Sequence, residues 1–274
     1  MKREEIWREA GSSAAILGFI TLAGAPLLGL VSPIMAVIPL AFFILCCLVA
    51  SFIPGLGFFL PVTSRGTTDK TVVSLTFDDG PDPATTPLLL DLLEKHNVKA
   101  TFFVTGERTA KYGRLIDDMT RRGHEIGNHS FSHDILLMLR TRKRLSREIV
   151  QTQIQLKRFG IRPLAFRPPV GITNPKLDSV LQRHGLFCVT FSCRSWDAGN
   201  RFVRGMGRRV AKKARPDHII VLHDICPPGK IAPVDWIAEV ESILVGLMER
   251  GFRIIPLTEL LGRPVMARIE KGDD

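Results

Sequence analysis

The chain of 274 residues is long enough for one large domain with an extra segment. Its five cysteines (Cys46, Cys47, Cys188, Cys193 and Cys226) show no CxxC or zinc-ribbon spacing. The odd number argues against a disulfide framework and fits a reducing compartment. The formal net charge is +10, and it is unevenly placed: Lys2, Arg3 and Arg8 cancel Glu4, Glu5 and Glu9, and residues 10–64 carry no charge, so the whole excess lies in residues 65–274. A basic excess suits an anionic partner, here a phosphorylated substrate or anionic lipid in preference to nucleic acid. There is no nucleic-acid motif, and a single Tyr with scattered Phe makes no stacking platform.

Residues 1–9 form a short polar start. The uncharged stretch after it holds two apolar runs of membrane-spanning length, at about 13–31 and 35–52, with Ser32-Pro33 as the turn. A cleavable signal peptide has an apolar core of only about 7–15 residues, so the stretch reads as an anchor. Pro26, Pro33 and Pro39 leave a single span with a re-entrant piece as the alternative. Residues 54–61, rich in Pro, Gly and Phe, read as interfacial. A hairpin returns the chain to the side it left. With Lys2, Arg3 and Arg8 before it and Arg65 and Lys70 after it, the positive-inside rule puts both ends in the cytoplasm. One span alone would put the large domain outside.

From residue 71 short apolar runs alternate with longer amphipathic ones. Strands are predicted at 72–77, 100–104, 124–127, 164–166, 187–191, 219–222 and 253–255. Helices are predicted at 84–96, 110–122, 144–159, 175–184, 201–214 and 234–250, with helix stops at Gly123, Gly160, Gly185 and Gly251. Strands alternating with helices imply a parallel sheet. Seven of them predict an α/β fold, a distorted (β/α) barrel that is closed or nearly so, with chemistry at the C-terminal strand ends. The division expected is a membrane anchor over residues 1–62 and a catalytic domain over residues 63–274.

The chemistry starts at Thr76-Phe77-Asp78-Asp79-Gly80, where the first predicted strand ends. Two adjacent carboxylates repel unless a cation lies between them, so one Asp as ligand and the other as base is the simplest solution. The residues alone do not say which is which. His129 and His133 follow the third strand; their spacing of four predicts a shared face on a helical turn. With Asp79 they make a His₂Asp set with open positions, suited to a catalytic divalent cation, zinc first and cobalt or nickel as alternatives. Arg167-Pro168-Pro169-Val170-Gly171 is a stiffened loop that could aim a guanidinium at a carboxylate, though alone it reads equally as a solvated arginine. His223, ending the strand before Asp224, could serve as a general acid given a carboxylate partner. Ser192-Cys193-Arg194-Ser195-Trp196-Asp197 is weak by itself. His96, His124, His184 and His218 read as structural or surface residues.

In their order along residues 70–260, these motifs resemble the polysaccharide deacetylases, the NodB-homology or carbohydrate esterase 4 family. The resemblance implies that Asp78 is the base, that Asp79, His129 and His133 hold the metal, and that Arg167 pairs with Asp78. It also implies that the Val170 backbone N–H assists the oxyanion and that His223 protonates the leaving amine, oriented by Asp197. The departures fall around the acyl pocket. Arg194 stands where the family has Asp, Ala198 where it has Trp, Val221 where it has Leu, and Val170 where it has Tyr. The site is therefore expected to be wider and more apolar, which weighs against chitin and peptidoglycan as substrates.

Together these readings predict a metal-dependent hydrolase that removes an N-acyl group, acetyl first, from an amino sugar at a membrane. Its partners would be membrane lipid and an amino-sugar glycan or glycolipid, with sugar on a lipid carrier as the favoured form. Basic residues at Arg140, Arg142, Lys143, Arg144 and Arg147, and at Arg201, Arg204, Arg208, Arg209, Lys212 and Lys213, could meet phosphate; equally, they are solvated helix faces. The expected location is the bacterial inner membrane, cytoplasmic side. A deformylase of a lipid-linked aminosugar, an external wall deacetylase and an inactive sugar- or lipid-binding membrane protein are the alternatives. Oligomeric state is not legible.

Overall fold

The computed structural model describes residues 13–229 and 231–270; the polar start read at residues 1–9 lies outside them. Helices α1 (Ser13–Gly29) and α2 (Pro33–Ser51) pack as a pair, with the Phe43 ring against Gly18. At 1.5 Å per residue, α1 is about 25 Å long and α2 about 28 Å, close to the ~30 Å of a bilayer core. Among the described residues, α2 is the one helix long and apolar enough to cross a membrane. Phe19, Leu22, Leu27, Ile34, Val37 and Leu48 point outward from the pair and are mostly exposed. Pro26 and Pro39 lie inside their helices, and Pro33 begins α2 after the Ser32 cap.

The remaining chain winds a parallel sheet. Its strands are β1 (Val62–Thr63), β2 (Val72–Asp78), β3 (Thr101–Val104), β4 (Glu125–Asn128), β6 (Ala165–Phe166), β7 (Phe187–Val189), β8 (Cys193–Arg194) and β9 (His218–His223). Their order in space is β1-β7-β6-β4-β3-β2-β9-β8, and β10 (Arg253–Ile254) pairs with the start of β2. β5 (Ile161–Pro163) and β11 (Met266–Arg268) form a small antiparallel pair. The helices are α3 (Thr86–Lys95), α4 (Gly106–Lys111), α5 (Gly113–Arg121), α6 (Arg142–Lys157), α7 (Leu177–Arg183), α8 (Met206–Lys213), α9 (Pro233–Glu249) and α10 (Leu257–Leu261). The sheet curls into a half-barrel, and its edge strands β1 and β8 are not paired with each other among the described residues. β2 is buried at every position, which is why its sequence shows no polar alternation. Leu75, Phe77, Phe102 and Ile220 pack with Leu89, Leu93, Ile116, Trp236 and Ile243 from the helices in the largest apolar cluster.

All seven predicted strands have a counterpart, with ends shifted by one or two residues. β1, β5, β8 and β11 were not predicted, and with two or three residues each they are too short to leave a period. The predicted 110–122 helix is broken at Tyr112 into α4 and α5. The stops at Gly123 and Gly251 hold, with φ of +82° and +77°.

A second apolar cluster joins the helical pair to the half-barrel. Ala50, Phe58, Phe59 and Leu60 pack with Leu137, Met138, Leu145, Phe166, Leu181 and Cys188. The Ala14 N–H donates to the Phe58 carbonyl (3.1 Å), so the start of α1 and the segment after α2 meet on the same side.

Candidate active site

Register brings the site together. Asp78 on β2 lies directly opposite His223 on β9 and Phe103 on β3, and Asn128 closes β4 opposite Val104 and Phe166. Asp78, Asp79, His129 and His223, at or just past these strand ends, line a cleft of about 680 Å³. Asp79, His133, Val170, Trp196 and Ala198 all line it with positive φ, half of the ten such non-glycine residues described. Strained backbone is therefore concentrated in the loops of the cleft. At +52° the β-branched Val170 is the clearest outlier, a cost of order 1–3 kcal/mol.

The two carboxylates of the Asp-Asp-Gly turn face different partners. Arg167 donates from Nη1 to Asp78 Oδ1 (2.6 Å) and to Thr76 Oγ1 (2.7 Å), and from Nη2 to the Thr190 carbonyl (3.0 Å). Its guanidinium is fully buried, 4.0 Å from the centre of the Phe103 ring and 5.8 Å from that of Phe191. Asp78 Oδ2 is left on the His129 side, 3.9 Å from Nε2. Asp79 instead turns Oδ1 toward His133 Nε2 (3.1 Å) and His129 Nε2 (3.4 Å). Gly80 follows because a Cβ there would lie 2.6 Å from the buried Asp224 Oδ2. Asp224 accepts from Thr85 (2.8 Å) and Thr86 (2.6 Å), and burial pushes its carboxyl up to about 7.

The imidazoles do not share a helical turn. Ser130 and His133 have φ of +68° and +52°, and the segment between them is irregular. The fully buried Glu148 of α6 accounts for this: its Oε2 accepts from the N–H groups of Phe131 (3.0 Å) and Ser132 (2.8 Å), offering the loop an alternative to helical bonds. The loop still brings the two rings within 5.0 Å of each other.

Asp79 Oδ1, His129 Nε2 and His133 Nε2 lie within 4.8 Å of one another. Asp79 Oδ1 is buried, yet neither imidazole contact has hydrogen-bond geometry. Donor separations of 3.1–3.4 Å are what ligands about 2.0–2.2 Å from one ion require. His129 Nδ1 hydrogen-bonds the Arg167 carbonyl (2.8 Å) as the donor, which leaves Nε2 as a lone-pair donor to a cation. These three residues therefore fit a divalent cation. Burial alone would raise the Asp79 carboxyl, but the charges of His129, His133 and His223 hold it well below the usual carboxylate range. Burial also disfavours a charged His129, yet Asp78 and Asp79 outweigh it and raise its pKa. For His133, burial and the neighbouring His129 win, and its pKa falls.

Across the cleft, His223 Nδ1 lies 2.7 Å from Oδ1 of the buried Asp197. Burial opposes the imidazolium; Asp197, helped by Asp79 and Asp78, prevails and pushes His223 up to about 9. The buried Asn200 fastens the Asp197 loop to β9, donating from Nδ2 to the carbonyls of His223 (3.0 Å) and Ile225 (2.6 Å). Val170 and Ala198 line the cleft and are exposed, while Val221 lines it from a buried position on β9. Asp78, Asp79, His129, His133, Val170, Asp197, Ala198, Val221 and His223 thus reach one cleft, with Arg167 buried behind Asp78, while of the two basic clusters only Arg201 lines it. Sequence reasoning missed Glu148, Thr76, Thr190, Asn200, and the cleft-lining Trp196 and Phe202. Thr76 and Trp196 were visible in their motifs; the others carry no local signal.

A parallel half-barrel with carboxylate and imidazole groups gathered at its strand ends defines a hydrolase of the α/β class. A family profile described as Polysaccharide deacetylase matches residues 65–189. The peptidoglycan-N-acetylglucosamine deacetylase of Bacillus cereus is 32% identical over 204 residues, covering 73% of this chain and 92% of the relative. A chitooligosaccharide deacetylase of Sinorhizobium fredii is 32% identical over 211 residues, covering 73% and 97%. Among solved structures, the Bc1960 peptidoglycan N-acetylglucosamine deacetylase superposes with a TM-score of 0.67 at 29% identity, covering 74% of this chain and 94% of that one. A family pseudoenzyme from Bacillus anthracis has a TM-score of 0.65 at 21% identity, with 73% and 68% covered, so it shares the fold alone. The chain belongs to the polysaccharide deacetylase family, whose deacetylases are metal-dependent hydrolases of the amide bonds of N-acetyl sugars.

Proposed function

We propose that this chain removes an N-acyl group, acetyl first, from an amino sugar, with Asp79, His129 and His133 holding a divalent cation, zinc before cobalt or nickel. The single observation that carries the reading is the division of labour between the paired carboxylates, Asp79 on the imidazoles and Asp78 on Arg167. When bound, the cation supplies Lewis acidity to water and to the amide carbonyl. Arg167 holds Asp78 Oδ1, so Oδ2 is the atom that takes the proton of the attacking water. The Val170 N–H, at the tip of its strained turn, is the protein donor for the developing oxyanion. His223 gives the proton at Nε2 to the departing nitrogen while Asp197 holds Nδ1. Val170, Val221 and Ala198 shape the acyl side of the cleft. General acid–base help of this kind contributes about 10²–10⁴-fold.

The hydrolase acts at a membrane, with residues 1–62 as anchor and residues 63–274 as the catalytic domain. What supports this is where the helical pair meets the cleft. The Ser51 carbonyl accepts from the Thr173 N–H (3.3 Å), the Pro54 carbonyl from Thr190 Oγ1 (2.6 Å), and Pro54 Cγ lies close to Gly171. Gly171 and Phe191 are cleft wall. The substrate is therefore a sugar presented at the lipid boundary, on a lipid carrier. With both ends of the pair on the half-barrel's side and the basic excess following it, the domain lies on the cytoplasmic face. A second reading, a wall polymer on the outer face, is favoured by the names of the relatives.

The test offers full-length protein in detergent polymeric N-acetylglucosamine and lipid-linked N-acetyl and N-formyl sugars, with Asp78→Asn as control. Release of acetate or formate only from lipid-linked sugar is expected. Acetate from the polymer would establish the second reading, and equal release by Asp78→Asn would overturn the assignment of the base.

A further inference from the structure

Most charges in the cleft are already paired. Asp78 is matched by Arg167, Asp197 by His223, and Asp79 by the two imidazoles. Among the described residues two cations remain, Arg194 and Arg201, both lining the cleft. Among the described residues no carboxylate lies within ion-pair distance of either. Arg194 is half-buried; its one hydrogen bond is a long one, 3.4 Å from Nη2 to the Val170 carbonyl. It is nonetheless held in place, its guanidinium 4.9 Å from the Phe191 ring centre and 5.4 Å from that of Trp196. Lys213 approaches the same Trp196 ring at 5.8 Å. An aromatic-clamped guanidinium with free N–H groups is a preorganised receptor for an oxyanion. A neutral sugar polymer offers such a group only uncharged oxygens, which it binds less strongly than an oxyanion.

We infer that Arg194, with Arg201, forms a subsite for a phosphate group carried by the amino sugar, beside the position of the scissile amide. This deepens the deacylase reading of the cleft and rests on it. Two guanidinium groups match the several oxygens of a phosphate better than a single carboxylate. The phosphate has two sources, a glycosyl phosphate attached to a lipid or a free glycosyl phosphate.

The test compares the full-length protein with Arg194→Gln, Arg194→Lys and Arg194→Gln/Arg201→Gln in non-ionic detergent. The substrates are N-acetylglucosamine 1-phosphate, the same sugar phosphate on a polyprenyl chain, neutral chitotetraose and N-acetylmuramic acid. The quantity read is kcat/KM for each phosphorylated sugar in a variant divided by that in the parent protein, with chitotetraose as the neutral control. Loss of a charge-assisted contact brings that ratio about 10–100-fold below one in Arg194→Gln, carried by KM. The double variant loses more, and Arg194→Lys keeps part. A fall for both phosphorylated sugars, or for the polyprenyl one alone, supports the subsite and identifies the source. A ratio of one overturns it, as does a preference for N-acetylmuramic acid that vanishes in Arg194→Gln. Binding without turnover separates the subsite from the reaction. N-acetylglucosamine 1-phosphate should raise the Tm of the parent protein and not that of Arg194→Gln. If no sugar loses its acyl group, the deacylase reading fails, while a Tm rise confined to the parent still supports the phosphate site and equal behaviour of the two proteins overturns it.

Discussion

Replacing Asp197 by Asn tests the general-acid role proposed for His223 most directly. The side chain keeps its shape and loses its charge. In the parent protein His223 is only 22% exposed, yet its ring is held at about 9, above the ordinary 6.5. That gap corresponds to about 3 kcal/mol in favour of the imidazolium, and Asp197 is its largest source. Burial remains in the variant and works against the pull of Asp79 and Asp78, so the ring should return to near the ordinary 6.5. At pH 8 the protonated fraction then falls from about nine-tenths to about 3%, and kcat/KM should drop about 30-fold, far less at pH 6. Stability supplies an independent reading. A folded-state pKa raised above the unfolded value gives stabilisation fully present below pH 6.5 and lost as pH rises through about 9. The parent should lose about 3 kcal/mol over that window and Asp197→Asn should lose little. NMR titration of the His223 ring in metal-free protein, with urea unfolding at pH 6 and pH 9.5, checks both. A ring that still titrates near 9 in the variant would refute the role given to Asp197.

Other outcomes follow from the same geometry. Arg167→Met leaves Asp78 buried without its partner and should cost about 3–5 kcal/mol in urea unfolding; much of that should return in Asp78→Asn/Arg167→Met. Glu148→Ala frees the loop carrying His133 and should weaken metal affinity about 10–100-fold, measured by competition with a chelator. Gly80→Ala drives a Cβ into Asp224 and should cost about 1–3 kcal/mol by thermal unfolding. Chelation should abolish acyl release from any substrate, and zinc should restore it; full activity after exhaustive chelation would sink the three-residue metal site.

The strand ends were legible because buried parallel strands read as unbroken apolar runs that stop at chemistry-bearing residues. Thr76 through Gly80 and Leu222-His223 are such boundaries, and the fold places both where the pattern put them. His129 and His133 were legible as a pair, but not their loop, because what shapes it is Glu148, 15 residues beyond His133 and on another element. Asp197 could not be read from its neighbours. Its meaning comes from Asn200 and from the pairing of β8 with β9, and β8 is two residues long. Arg167 read alone was equally a solvated arginine in a proline loop or a partner for a carboxylate, and only the resemblance pointed to Asp78. Only the tertiary arrangement shows the Phe103 ring, the Thr190 carbonyl and Asp78 closing around it.

Asp78 and His223 are direct neighbours across one rung of the β2–β9 ladder. The spacing of that rung, about 4.8 Å between strands, works as a fixed gauge between the group proposed to take a proton and the group proposed to give one. Neither can be moved without sliding a fully buried strand. The parts proposed to meet the sugar, by contrast, sit in the turn at Val170 and the loop bearing Arg194, Trp196 and Ala198, outside the gauge. The chain can thus be retooled for a different glycan by exchanging those two loops while its chemical step stays calibrated by the backbone.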